Sequence, residues 1–212
     1  MRSGVRRLRL WTHLVDQAQN FIGEVLRPGD LAVDLTAGNG GDTLFLYRAV
    51  KAEGQVLAFD IQGQALIETK RRLDRAGAQV FEVHQVGPVA GSSGIYLIHD
   101  DHGRLGQYLS ASPRAMMANL GFLPGGDRAR VTRAETTTRA LSAALDGLAA
   151  GGRLALVAYP GHPGGAEEML AVEAIFRELP PDWQVLGTQV LNRRQAPRLF
   201  LAQKPASCAG LP

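Results

Sequence analysis

Cysteine is almost absent from this chain: Cys208 stands alone, four residues from the last printed position. One thiol builds neither a disulfide framework nor a Cys-based zinc site, so no metal is expected and the composition predicts a reducing, cytoplasmic setting. No run of 18 apolar residues occurs, so no membrane partner is expected. Arg2, Arg6, Arg7 and Arg9 lead the chain, but the apolar stretch and small-residue cleavage site of an export signal do not follow them. Lysine is scarce as well, at three residues (Lys51, Lys70, Lys204) against 20 arginines. Guanidinium forks suit phosphate, so with a net charge of +3 a nucleic-acid partner is admitted; genomic base composition alone would give the same bias. No Gly-Lys-Ser/Thr is present, which removes the P-loop nucleotide folds.

What is there reads as one α/β domain over residues 1–212, long enough to bury roughly 70% of its unfolded surface. Trp11, Leu14, Val15, Ala18, Phe21, Ile22 and Val25 recur at three-and-four spacing, predicting an amphipathic lead-in helix over about 11–26 that stops at Arg27-Pro28-Gly29-Asp30. Residues 31–36 form a short apolar run into a glycine cluster, as a buried parallel strand does. Asp42 is placed to cap a helix through about Val50, and a strand over 55–60 and a helix from about Gly63 to Ala76 follow. Strands at 95–99, 114–119 and 153–159 then alternate with helices around 105–109, 136–149 and 166–179. Such alternation predicts a mostly parallel sheet with helices on both faces. The last two strand-like runs, 183–191 and 198–203, have no helix between them and predict a closing antiparallel hairpin. Val80 to Val86 admits a further strand, and 85–94 reads as a loop insertion. Seven strands ending in a hairpin describe the Rossmann-like class I methyltransferase sheet better than the six-stranded dehydrogenase sheet.

The chemistry concentrates at the turn Asp34-Leu-Thr-Ala-Gly38-Asn39-Gly40-Gly41-Asp42, an acidic strand end followed by spaced glycines and a helix start with free N–H groups. Thr43 stands where a dinucleotide fingerprint has its third glycine, which weakens the dehydrogenase reading. Asp60 ends the next strand, about twenty residues on, where a carboxylate can accept both ribose hydroxyls of an adenosine; that identifies adenosine and not the cofactor. Two more strands run out into glycine-rich rims, Asn119-Leu-Gly-Phe-Leu-Pro-Gly-Gly-Asp127 and Tyr159-Pro-Gly-His162-Pro-Gly-Gly165. An amide such as Asn119 can accept hydrogen bonds from a substrate amine and aim its lone pair at a methyl group. His99-Asp100-Asp101-His102 invites a metal reading, but adjacent strand residues face opposite ways, leaving cofactor contact or a solvated turn.

The strings 34–46, Phe59-Asp60-Ile61-Gln62, 119–127 and Tyr159-Pro-Gly-His162 resemble the bacterial "putative rRNA methylase" family over roughly residues 11–204. Members of it are tRNA 5-aminomethyl-2-thiouridine methyltransferases acting on the wobble base. The resemblance implies S-adenosyl-L-methionine as cofactor, contacted at the turn residues above by Asn39, Gly41, Asp60, Gln62, Asp101 and His102. Asn119, Asp127, Tyr159 and His162 would line the substrate side. The implied partner is the tRNA anticodon stem-loop, met by Arg128, Arg130, Arg133, Arg193, Arg194 and Arg198; a homodimer is admitted but not required. Gly41 departs from the histidine expected after Gly-Asn-Gly, and Phe122 from a tyrosine. Two other readings stand beside this one: a methyltransferase for rRNA, protein or a small molecule, and a non-catalytic RNA-binding protein that keeps the cofactor fold.

Overall fold

The computed structural model describes residues 14–121, 132–190, 192–193 and 195–206. Phe122, Asp127, Arg128, Arg130 and Arg194 therefore lie outside the described residues, as do the first residues of the lead-in helix. In chain order the elements are α1 (Leu14–Gly23), β1 (Leu31–Asp34), α2 (Gly41–Val50), β2 (Gln55–Phe59), α3 (Gly63–Arg75), β3 (Val80–Val83) and β4 (Gly94–Ile98). A short 3-10 turn (His102–Gln107), β5 (Ala115–Leu120), α4 (Ala134–Gly147), β6 (Arg153–Ala158), α5 (Gly165–Arg177), β7 (Gln184–Thr188) and β8 (Arg198–Gln203) complete it.

One sheet holds all eight strands in the order β3-β4-β2-β1-β5-β6-β8-β7. Six run parallel, and β8 enters antiparallel to β6 and to β7, giving the expected hairpin. The eighth strand is β3, which pairs with β4 and stacks Phe81 on Tyr96 at 4.9 Å between ring centroids. The insertion beyond β3 is tied down: Tyr96 Oη donates to the Ser92 carbonyl at 2.7 Å, Gln55 Nε2 to the Gly91 carbonyl at 2.6 Å, and Ser110 Oγ to the Val89 carbonyl at 2.6 Å.

Period-two alternation divides the strand residues between two cores. Val33, Leu57, Phe59, Ile98, Met116 and Leu156 face α4, α5 and the 3-10 turn, while Ala32, Val56, Ile95, Met117 and Val157 face α1, α2 and α3. Both faces are thus covered, which is why these strands read as continuous apolar runs and not as alternating ones. α1 lies over β6, β8 and β5, its Phe21 ring 4.3 Å under the Arg153 guanidinium. The sheet order changes direction at β1: the chain continues to β2 on one side and later places β5 on the other. A crevice at the carboxyl ends of β1 and β5 follows from that switch, and α/β sheets bind ligands there.

Candidate active site

At this crevice lies a cleft of about 810 Å³ lined by the ends of β1, β2, β5 and β6, by α1 and by the starts of α2 and α4. Its floor is the turn after β1. Leu35 N donates to the Met117 carbonyl at 2.8 Å and Ala37 N to the Phe59 carbonyl at 2.7 Å, so the turn is stitched to both neighbouring strands. Gly38 and Gly40 take positive φ of 54° and 73°, and a Cβ on Gly40 would come within 3.0 Å of the Thr69 backbone. Only glycine meets both conditions at position 40. Gly41, by contrast, has open space where a Cβ would sit, so a side chain can start there without displacing a neighbour.

Gly38, Asn39, Gly41, Asp42, Asp60, Gln62, Asp101, His102, Asn119 and Tyr159 all line the cleft, and so does Arg133, which the sequence reading assigns to an RNA face. Asp34 and Gly40 do not. Asp34 is 1% exposed, its oxygens taken by Thr36 N at 3.0 Å and Thr43 Oγ1 at 2.6 Å, so it braces the turn from behind. Burial, and the Asp42 charge next, push its pKa up to about 7. Asp60 accepts from Gly38 N and Gln62 N, each at 2.9 Å, and burial raises its pKa against the lowering effect of those bonds. The carboxylate is thereby aimed at the cleft with lone-pair directions to spare.

Asp42 does not cap α2; that position belongs to Gly40, which offers no side-chain bond. It sits in the first helical turn with Oδ1 accepting from Gln19 Nε2 of α1 at 2.6 Å and Oδ2 from Asn119 Nδ2 of β5. Desolvation raises its pKa, offset in part by those two amides. Asn119 is fixed at its backbone too, N donating to Thr36 Oγ1 at 2.7 Å, and its Oδ1 is buried with no partner among the described residues. His102 shares that condition at Nε2, and burial lowers its pKa. Asp101 caps the 3-10 turn through Gly103 N at 2.8 Å and receives Arg139 at 3.2 Å. Beyond β6, Tyr159 is 38% exposed, its phenol held above its usual pKa by burial and then by Asp42.

His162 is not on the cleft wall. Its side chain is 3% exposed, with Nε2 3.7 Å from Glu168 Oε2 and the ring against Gly121 and Gly165. That distance is too long for a hydrogen bond, and the ring's Nδ1 lies 3.1 Å from the Pro163 carbonyl; the buried Glu168 carboxylate accepts instead from Thr132 Oγ1 at 2.8 Å and Thr137 Oγ1 at 2.5 Å. Thr132 in turn closes on Gly121, whose N donates to Thr132 Oγ1 at 2.9 Å and whose carbonyl accepts from Thr132 N at 3.0 Å. Of the arginines, Arg133 opens α4 on the cleft, Arg193 is exposed in the β7–β8 connection, and Arg198 is occupied by Glu173 at 2.5 Å. Sequence reading missed Gln19, Val15, Thr132 and Thr136. For Gln19 a signal existed: it lies at the +4 position from Val15 and three before Ile22, an amide inside the apolar stripe of α1.

Among the described residues no three His, Cys, Asp or Glu side chains gather as a metal site, and no helix is long and apolar enough to cross a membrane. Residues 56–204 match the family described as "Putative rRNA methylase". A chloroplastic "tRNA (mnm(5)s(2)U34)-methyltransferase" of Arabidopsis thaliana is 38% identical over 190 residues, covering 85% of this chain; the chain spans 65% of that relative's length. A Clostridium thermocellum structure described as a "putative rRNA-methylase" is 32% identical with a TM-score of 0.80, covering 91% of this chain and 98% of its own. A "putative methyltransferase" from Streptococcus mutans, solved in complex with SAH, is also 32% identical over 91% and 98% of the two chains, with a TM-score of 0.76.

Proposed function

The chain belongs to the "Putative rRNA methylase" family, and from that premise we propose that it is an S-adenosylmethionine-dependent methyltransferase acting on the exocyclic amine of a 5-aminomethyl-2-thiouridine at the tRNA wobble position. The carrying observation is the pairing of two half-sites in one cleft. On one side of β1, Asp60 and Gln62 offer what an adenosine needs, beside the free N–H groups of the α2 start. On the other, Asn119, Asp42 and Tyr159 form a polar wall. The orphaned Nε2 of His102 and Oδ1 of Asn119 are further reason to place a polar ligand between the two sides. S-adenosylmethionine, when bound, supplies an electrophilic methyl group on a sulfonium; the protein holds it and aligns the nucleophile. The printed activity of the Arabidopsis relative supports the tRNA substrate, and the SAH complex of the Streptococcus mutans neighbour supports the cofactor. The paucity of thiols is in keeping with work in a reducing compartment such as the cytoplasm.

The obstacle is the amine's proton. An alkylammonium titrates near a lysine's ~10.4 and has no lone pair, so freeing it at pH 7 costs about 5 kcal/mol. Desolvation in the closed cleft and a neighbouring sulfonium both lower that cost.

Incubation with labelled S-adenosylmethionine and total tRNA from a strain lacking the protein, followed by nucleoside mass spectrometry, is expected to show one methyl gained on aminomethyl-thiouridine. Label in rRNA or in no RNA would turn the assignment to the rival readings. Asp60→Ala is expected to weaken cofactor binding by about 1–3 kcal/mol in calorimetry, because a charged acceptor for the ribose is lost. Unchanged affinity in a folded variant would move the adenosine elsewhere.

For the RNA face we propose Arg133 and Arg193, with Arg128, Arg130 and Arg194 as sequence candidates and Arg198 as a weaker one because Glu173 already holds it. RNA affinity is expected to fall steeply between about 50 and 200 mM salt, and Arg133→Ala to lower the slope by about one counterion. A salt-independent affinity would contradict a phosphate interface.

A further inference from the structure

Asp42 holds an unusual place in the cleft. Both oxygens are held by side-chain amides, Gln19 Nε2 at 2.6 Å and Asn119 Nδ2, arriving from different elements. Amides donate without charge, so these two bonds orient the carboxylate without neutralising it, and among the described residues no cation is ion-paired to it. Among the described residues, the groups that face it are Gln19 of α1, Asn119 of β5 and Tyr159 beyond β6, with the Asp34 carboxylate of β1 close enough to interact electrostatically. None of these is a cation, although Arg133 lines the same cleft. Strand order puts Asp60 on the β2 side of β1 and Asn119 and Tyr159 on the β5–β6 side, and Asp42 is bonded to the latter group. An anion fixed by neutral donors on the substrate wall is complementary to a cationic amine.

We propose that Asp42 receives the ammonium group of the substrate and takes its proton, so that the free amine is generated beside Asn119. The inference rests on the aminomethyl-tRNA reading above. The step balances: R–CH2–NH3+ and the Asp42 carboxylate give R–CH2–NH2 and the Asp42 carboxylic acid. The nitrogen lone pair then forms the new N–C bond as the methyl's C–S bond breaks with its electron pair left on sulfur. Burial makes the protonated acid accessible, in line with the raised pKa of Asp42, and the secondary ammonium product retains a proton to be lost to solvent. His162, facing Glu168 and not the cleft, is not needed for this transfer.

The test has one arm without cofactor and one with it. In the first, anisotropy at pH 7 compares anticodon stem-loops carrying 5-aminomethyl-2-thiouridine or plain 2-thiouridine on the cofactor-free enzyme. Wild type is expected to prefer the aminomethyl form by about tenfold or more, and Asp42→Asn to lose that preference. Equal affinity of wild type for both RNAs overturns the proposal. In the second, single-turnover rates with saturating S-adenosylmethionine are followed from pH 6 to 10. Asp42→Asn is expected to be about 100-fold slow at pH 7 and to recover most of that by pH 9.5, as the amine loses its proton unaided.

A deficit constant with pH overturns the proton-transfer role, and so does a wild-type acid limb at the free amine's ~10, which needs no variant. Loss of cofactor affinity in Asp42→Asn with an unshifted limb would assign the carboxylate to the cofactor's own amino group and also overturn it. Wild type that transfers methyl to some other RNA but not to the aminomethyl stem-loop overturns the functional reading beneath it, a result distinct from all of these.

Discussion

Asn119→Ala is expected to lower turnover by about 100-fold or more while affinity for S-adenosylmethionine stays close to wild type. The residue is held at two points, its backbone N donating to Thr36 Oγ1 at 2.7 Å and its side-chain Nδ2 to Asp42 Oδ2, and together those bonds decide which way Oδ1 faces. Alanine abolishes the carboxamide acceptor and removes one of the two donors on Asp42, so alignment and proton acceptance suffer together. The adenosine side is untouched, because the Asp60 bonds to Gly38 N and Gln62 N are made by other elements. Calorimetry with the cofactor beside steady-state kinetics on aminomethyl-uridine tRNA separates the two quantities. Normal turnover in a folded Asn119→Ala enzyme would remove amine positioning from the mechanism. Equal losses in turnover and cofactor affinity would make Asn119 a cofactor residue.

The second large effect is on stability, and it depends on pH. Asp34 titrates at about 7 in the folded protein against 3.8 when unperturbed, a shift caused first by burial and then by the Asp42 charge. Below about pH 4 the side chain is protonated in both states and imposes no penalty. Between that pH and about 7 the unfolded chain ionises while the folded one keeps its proton, so stability falls as pH rises; above 7 the penalty is constant. Roughly 3 pK units at 1.36 kcal/mol each set a ceiling of about 4 kcal/mol. Asp34→Asn removes the ionisation and keeps an oxygen for Thr36 N or Thr43 Oγ1. It is expected to be the more stable protein at pH 8 by a sizeable part of that ceiling, with the gap closing by pH 4. Urea denaturation at the two pH values reads this directly. A gap of the same size at both would mean that Asp34 is not protonated in the native protein.

Much of the sheet was legible because its strands are buried on both faces. Leu31–Asp34, Ala115–Leu120 and Arg153–Ala158 announce themselves as short apolar runs, and glycine turns mark their carboxyl ends. β3 was ambiguous for a physical reason: it is a four-residue edge strand, none of it fully buried, and its aromatic partner Tyr96 lies beyond a long loop. Cleft position was legible where one motif carries both place and chemistry, as at Gly38, Asn39, Gly41, Asp42 and Asp60. They failed where direction is set by a distant partner. Pro-Gly-Gly flanks correctly put His162 at the rim, but nothing local says that Glu168, Thr132 and Thr137 make a buried pocket that turns the ring away. Asp42 looks like a helix cap until Gln19, 23 residues earlier, and Asn119, 77 residues later, are brought against it.

The mutual bonds of Gly121 and Thr132 make the connection between β5 and α4 a cassette. Its two ends are fastened to each other, and Thr132 is fastened again to Glu168 of α5, before any residue between them is considered. Loop closure has then been met by the frame, so the end of β5 and the start of α4 are held in register by Gly121, Thr132 and Glu168 themselves, and the sheet edge does not depend on the sequence that joins them.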